Sequence, residues 1–364
     1  MQLKKLLSFI LLGAATVSTQ ESSQQTTQTP TGNSSATIAE LLTDPNNKLG
    51  IKKFAGLLQS DSGYQPIIDL LNNQTANYTC FIPSDRTMNK AMHIFKSYAN
   101  ANNLNITNDY PPASFTISNI TISDIIYYHI VNDSIQLSNL TSYTNIVYSM
   151  LNNDSINFLD TGLPILIENN ASYDEFNDQA WMNNNSQYLE YEVGNGDDDG
   201  DVLYKDIEAS NGYINIIDTV LFPPMKPTEV IDRVDDTETF AKLLKNHPEV
   251  SEELNNAKNF TLFAPDDDAL EDFDFDNLSN DAVRSIIFAH TIPGVYYSTN
   301  FTEQAAANNG YLNLTTVNNA QLPIFINGTR ITLNDTARVE ESNIFFNNGV
   351  MYVIDKVLNY STPA

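Results

Sequence analysis

The chain has one cysteine, few basic residues and no long apolar run beyond its N-terminus, and each shortage excludes a class of protein. Cys80 is the only cysteine in 364 residues, so no intrachain disulfide can form and folding depends on hydrophobic cores. The 18 Lys and Arg residues face 45 Asp and Glu residues, and the formal net charge of −27 repels nucleic acid and anionic membranes. We therefore expect neither as a partner.

The side chains that most enzymes use are also scarce. The sequence has 4 His residues and contains no Gly-x-Ser-x-Gly, His-Glu-x-x-His or phosphate-binding Gly-rich motif. Cys80 lies in an apolar run from Tyr78 to Ile82, so it is interpreted as a small buried hydrophobe rather than a nucleophile. We predict no catalytic residue, no enzymatic activity and no cofactor.

The N-terminus is typical of a secretory signal peptide, which we assign to residues 1–20. Lys4 and Lys5 precede an apolar segment from Leu6 to Val17, which is too short to span a bilayer stably. Residues 21–35 are nearly all Ser, Thr, Gln and Pro, so they predict a disordered lead-in. Because the C-terminus lacks a hydrophobic tail, we expect neither a membrane span nor a glycolipid anchor.

One turn-strand unit occurs twice in the chain, beginning with Asn-Gly at Asn211 and again at Asn348. Asn and Gly tolerate the positive φ angles of tight turns, and a β-branched and aromatic run follows each pair. Both faces of each run are apolar, which predicts a central strand. Two such units indicate two domains.

Three further segments match between the two halves in the same order. The pairs are 78–88 with 260–270, 125–130 with 286–291, and 163–165 with 322–324. The proline-rich stretch 223–227 predicts a stiff linker, because each proline restricts φ and removes a hydrogen-bond donor. We therefore place the domains at 36–224 and 225–361.

The first domain is longer than the second at two places. It has about 21 extra residues within 94–120 and about 22 within 168–201. Both insertions are rich in Asn, Asp and Ser, a composition typical of surface loops.

With these elements in order, each half resembles a fasciclin-type domain. The leading motif is matched by Phe263-Ala-Pro-Asp-Asp-Asp-Ala269 and more loosely by Phe81-Ile-Pro-Ser-Asp-Arg-Thr87, and the closing Asn-Gly strand is matched by both copies. The resemblance covers residues 36–361. It implies an α+β fold of two tandem domains, each a twisted, wedge-like β-sandwich flanked by helices.

The resemblance also implies an adhesion motif at a Tyr-His pair. Tyr128 and His129 keep this pair in the first domain, whereas the second has Ala289 before His290. In the family this region is linked to cell adhesion through receptors or matrix. From the residues alone, both histidines lie on apolar runs, which favours hydrogen-bonded core positions over ligand contacts.

Two acidic features suggest different roles. Asp218 and Asp355 hold equivalent places in the two closing strands, so we predict structural carboxylates that accept backbone hydrogen bonds or meet a cation. A second pattern is similar to an EF-hand calcium loop, with a solvated acidic turn as the alternative. Its candidate ligands are Asn195, Asp197, Asp199, Asp201 and Asp206.

Asn-x-Ser/Thr triplets are the most repeated chemical feature. In a secretory protein many of them should carry N-glycans, and these must lie at the surface. The acceptors are Asn33, Asn73, Asn77, Asn105, Asn119, Asn132, Asn139, Asn153, Asn170, Asn184, Asn259, Asn277, Asn300, Asn313, Asn327, Asn334 and Asn359.

Together these observations predict a non-catalytic secretory-pathway glycoprotein with a binding role in cell adhesion or in cell-surface or cell-wall organisation. Its partner would be a protein or polysaccharide of the cell surface or wall. The abundance of Asn and of glycan acceptors suggests a fungal, yeast-like source. Two alternatives stay open: a soluble protein of the vacuole lumen, and a lumenal polysaccharide-acting hydrolase that uses carboxylates of the first insertion.

Overall fold

The computed structural model describes residues 32–358, except 34, 45, 47, 102–108, 171–190 and 272–277. The signal peptide, most of the lead-in and the acceptors Asn105, Asn184, Asn277 and Asn359 lie outside the described residues. The chain divides into two compact units. The first contains residues 1–153, 165–194 and 198–222, and the second contains 154–164, 195–197 and 223–364.

The first unit contains helices and strands in mixed order. Its helices are α1 (Ile38–Thr43), α2 (Lys52–Ser60), α3 (Gln65–Leu71), α4 (Asp85–Ala101) and α5 (Ile122–Tyr128). Its strands are β1 (Tyr78–Pro83), β2 (Thr116–Ile117), β3 (Ile120–Thr121), β4 (Ile130–Val131), β5 (Thr144–Tyr148), β6 (Pro164–Asn169), β7 (Tyr191–Gly194), β8 (Gly200–Ala209) and β9 (Gly212–Ile217). The strands β4-β1-β9-β8-β7-β6-β5 form one seven-stranded sheet in that order, and β2 and β3 pair separately.

The second unit repeats this plan. Its helices are α6 (Pro227–Ile231), α7 (Glu238–Asn246), α8 (Pro248–Asn256), α9 (Asn280–Ala289) and α10 (Ser298–Ala306). Its strands are β10 (Phe260–Pro265), β11 (Thr291–Pro293), β12 (Tyr311–Thr315), β13 (Gln321–Asn327), β14 (Arg330–Leu333), β15 (Ala337–Phe346) and β16 (Gly349–Ile354). The order β11-β10-β16-β15-β14-β13-β12 matches the first sheet strand for strand.

Local sequence explains where several helices begin. Thr37 and Glu40 form a reciprocal capping box at α1, and Thr121 and Asp124 form one at α5. Pro227 stands at the first turn of α6, where a missing N–H removes no helical hydrogen bond.

The closing strands are central, as the sequence predicts. β9 pairs in parallel with β1 and antiparallel with β8, and β16 has the same two kinds of neighbour in β10 and β15. Every residue of β1, β10 and β16 is buried. Cys80 in β1 is fully buried, and this burial raises the pKa of its thiol, which confirms its interpretation as a core residue.

The Asn-Gly pairs have a different physical reason from the predicted positive φ. Neither Asn211 nor Asn348 has a positive φ angle, and both are fully buried. The glycines provide space, because a Cβ on Gly212 would lie 1.8 Å from the Tyr78 carbonyl oxygen. The asparagines act through their side chains: the Asn211 amide donates to the carbonyl of Leu71 at 2.9 Å.

The first insertion also differs from the predicted surface loop. Helix α4 continues to Ala101, well into the inserted segment. Beyond it Pro111 and Ile117 are buried, and Phe115 packs edge-to-face on Phe95 with ring centroids 5.0 Å apart. These apolar residues, scattered among polar ones, form part of the first unit's interior.

Candidate binding site

The Tyr-His helix of the first unit ends in a hydrogen-bonded histidine. His129 is the C-cap of α5, and its Nδ1 lies 2.7 Å from the carbonyl oxygen of Ile125. The backbone N–H of Leu221 donates to His129 Nε2 at 3.0 Å. Since a backbone N–H can only donate, Nε2 is the acceptor and Nδ1 carries the proton. The neutral imidazole therefore links the end of α5 to the segment that follows β9.

The second unit contains the same arrangement. His290 Nδ1 lies 2.8 Å from the carbonyl oxygen of Ile286, and the N–H of Leu358 donates to His290 Nε2 at 2.8 Å. We call the two sets histidine clamps: His129 with Ile125 and Leu221, and His290 with Ile286 and Leu358.

Both clamp histidines are neutral at ordinary pH. Burial lowers the pKa of His129 and that of His290 from 6.5 to about 4, and the hydrogen bond to the backbone carbonyl opposes this shift only in part. The interpretation of these residues as hydrogen-bonded core histidines is confirmed.

The burial of the Tyr-His pair corrects the expectation that it forms an adhesive contact. Tyr128 is 0% exposed, His129 1% and His290 0%. A side chain with no exposed surface cannot touch a partner while its domain stays folded. Any contribution of Tyr128, His129 or His290 to adhesion must pass through the surface that they hold in place.

The two paired aspartates accept backbone hydrogen bonds, as predicted. Asp218 Oδ1 accepts from the N–H of Asp201 at 2.9 Å, and Asp355 Oδ1 accepts from the N–H of Arg338 at 2.6 Å. Both side chains are half-buried and follow the last residue of their strand. Burial raises the pKa of Asp218, while the Asp201 N–H and the charges of Lys90 and Arg86 oppose the shift.

The structure does not gather the five candidate calcium ligands around one point. Asp201 and Asp206 belong to β8, and the Asp206 carboxylate accepts the backbone N–H groups of Leu137 and Ser138. Asp197 forms an ion pair with Arg233. Among the described residues, no group of three or more His, Cys, Asp and Glu side chains could hold a metal ion.

The glycan acceptors that the structure describes are all at least partly accessible. The exposed ones are Asn33, Asn73, Asn77, Asn119, Asn132, Asn139, Asn313 and Asn327, and the half-buried ones are Asn153, Asn170, Asn259, Asn300 and Asn334. Their positions suit the predicted glycosylation, and their occupancy stays a prediction. Within the described ranges, no helix is both long and apolar enough to cross a membrane.

Comparisons with known proteins agree with the sequence resemblance. The family model described as the Fasciclin domain matches residues 49–223 and 235–360. A "Fasciclin-like arabinogalactan protein" of Arthroderma benhamiae is 28% identical over 197 residues, which cover 51% of this chain and 44% of that protein. The chain therefore matches less than half the length of this curated relative.

A solved structure described as "a FAS1 Domain Pair from the Insect Cell Adhesion Molecule Fasciclin I" is also similar. The match covers 85% of this chain and 97% of that one, at 19% identity and a TM-score of 0.38.

Proposed function

The chain belongs to the fasciclin domain family, and we propose that it is a non-catalytic glycoprotein of the secretory pathway that binds a protein or polysaccharide at the cell surface or in the cell wall. The observation that carries this proposal is the pair of family matches, one in each unit. Fasciclin domains occur in adhesion-related and cell-surface proteins. The predicted signal peptide and the accessible glycan acceptors support the secretory route.

The histidine clamps suggest how the Tyr-His region serves binding. Because Tyr128 and His129 are buried, they act as positioning residues that hold α5 and the segment after β9 together. The partly exposed residues of α5, such as Ser123, Asp124 and Tyr127, are then the ones available to a partner.

Localisation and wall binding test this proposal directly. The tagged full-length protein is expressed in a yeast host and followed by microscopy and fractionation, with and without glycan-removing enzyme. We expect a glycosylated form in the wall or medium, and purified protein should bind isolated walls. Recovery only from the vacuole, with no wall binding, would contradict the adhesion role.

The vacuolar alternative has one supporting observation. The clamp histidines have a pKa of about 4, so the clamps remain neutral and intact in a mildly acidic lumen. The same property suits an acidic cell wall, and the fractionation experiment separates the two locations.

The hydrolase alternative needs a pair of carboxylates in a cleft. In the described part of the first insertion, Asp109 instead forms an exposed ion pair with Lys96 at 2.8 Å. The absence of sugar release from wall polysaccharide by the purified protein would agree with the non-catalytic proposal, and turnover would overturn it.

A further inference from the structure

The first unit contains an apolar pocket between three of its helices. Phe54 of α2, Met88 and Met92 of α4, and Ile125 and Ile126 of α5 line it. Its enclosed part measures about 70 Å³. Met92 is half-buried and Met88 is buried, so the pocket runs from the surface into the core.

Part of the pocket wall comes from the first insertion. Phe95, Tyr98 and Phe115 line the pocket, and Phe115 meets the edges of both other rings, with centroid distances of 5.0 Å to Phe95 and 6.3 Å to Tyr98. The second unit lacks the inserted residues, about 21 in number. The pocket is therefore built from sequence that distinguishes the first unit from the second.

The lining determines which ligand chemistry the pocket can accept. The side chains are apolar except for Tyr98 and His129, and both ring nitrogens of His129 are already used in the clamp. A sugar hydroxyl or a peptide group placed here would lose its hydrogen bonds to water without replacement. Hydrocarbon loses none, and the flexible methionine side chains adapt to its shape.

The size of the enclosed space favours a chain over a ring. A volume of about 70 Å³ is roughly half that of the 150 Å³ cavity that accepts benzene. The end of an unbranched alkyl chain enters such a space, whereas a ring system does not.

The charge next to the pocket favours an anionic ligand. Helix α2 has Lys52 and Lys53 and no acidic residue, and α4 has Arg86, Lys90 and Lys96 against a single Asp85. Both helices are therefore locally positive in a chain whose net charge is −27. Lys96 is paired with Asp109, which leaves the other basic residues of the two helices as the local attraction for an anion.

We propose that this pocket binds the alkyl tail of a fatty acid, with the tail among Met88, Met92 and Phe95 and the carboxylate in water beside α2 and α4. This lipid-binding activity is independent of the adhesion function proposed above. It assigns a ligand to the first unit and not to the second.

Calorimetric titration of the full-length glycoprotein with hexanoate, octanoate and decanoate tests the proposal. Affinity should rise with chain length, by up to about fourfold for each methylene that leaves water. Ala91, a half-buried residue of the lining, provides the blocking variant Ala91→Phe, which should weaken decanoate binding at least tenfold. The matched control is Ala101→Phe at an exposed position of the same helix, which should bind as the wild type does.

Two further measurements make the result decisive. Decanoate should shift the methyl NMR signals of Met88 and Met92 among the 7 methionines, a readout that needs no variant. Replacing Lys52 and Lys53 by Gln should weaken decanoate several-fold and leave decan-1-ol unchanged. Absence of saturable decanoate binding, or equal binding by Ala91→Phe, would overturn the pocket; equal binding of acid and alcohol would overturn the anionic head group.

Discussion

Asn348 Oδ1 is buried and has no hydrogen-bond donor among the described residues, because Pro227 stands at the first position of α6. In the first unit the corresponding Asn211 Oδ1 accepts the N–H of Ile38, the first residue of α1, at 2.8 Å. Proline has no N–H to offer. The two units thus share an asparagine that ties the closing strand to neighbouring loops, and only the first satisfies both ends of its amide.

Pro227→Ala should therefore stabilise the second unit. The new N–H can reach Asn348 Oδ1, and satisfying a buried acceptor contributes about 1–3 kcal/mol. Loss of the proline increases unfolded-state entropy and costs about 0.4–1 kcal/mol, so we expect a net gain of about 1 kcal/mol in the free energy of unfolding. Urea unfolding monitors it. The reverse change, Ile38→Pro in the first unit, should destabilise; a gain there would contradict the explanation.

His129→Ala should lower the free energy of unfolding by about 2–5 kcal/mol. The change leaves the Leu221 N–H and the Ile125 carbonyl oxygen buried without their partner and also opens a cavity. Urea unfolding of the full chain measures the loss. His93→Ala, at an exposed position of α4, is the control and should change the free energy by less than about 0.5 kcal/mol. A loss as small as that at His129 would mean that the clamp has no structural role.

The clamps should also make stability depend on pH. Both histidines have a folded pKa of about 4 against an ordinary 6.5, so the unfolded state binds protons more readily. Their contribution is fully present above pH 6.5, falls as the pH drops towards 4, and amounts to a few kcal/mol per residue.

Urea unfolding at pH 7, 5.5 and 4.5 checks this dependence. Comparing the wild type with His129→Gln and His290→Gln cancels the carboxyl groups, which titrate in every variant. Each replacement should make the loss of stability between pH 7 and 4.5 smaller. Identical pH profiles for all three proteins would show that the histidines are not the titrating groups.

Gly349→Ala should cost more than about 3 kcal/mol, because its Cβ would lie 2.3 Å from the Phe260 carbonyl oxygen and the parallel pairing of β10 with β16 would have to open. Gly328→Ala is the matched control: its φ of +63° disfavours alanine, but no atom lies within 4 Å of the new Cβ. That change should cost about 1 kcal/mol. Similar thermal unfolding midpoints for the two variants would indicate that φ, and not space, determines the need for glycine.

The α+β class, the two tandem domains and the central strands could be predicted because they depend on local and repeated patterns. The run after Gly212 is apolar on both faces, and such a run is stable only when covered on both sides. The clamp histidines could be interpreted as core residues for a similar reason, since His129 and His290 follow apolar helical runs. The backbone role of Asp218 and Asp355 followed from their place at the end of buried strands.

Other features depend on residues far apart in the chain. The burial of Tyr128 removes the predicted adhesive contact, and the acceptors of the Asn211 amide are carbonyls about 140 positions earlier. The wall that Phe115 adds to the pocket lies in a segment whose composition predicts a loop. By itself the sequence determined which segments are strands or helices and that they occur twice, because hydrophobic periodicity and turn residues act over a few positions. Only the tertiary structure decided which side chains are enclosed, because burial results from packing between elements that are distant in sequence.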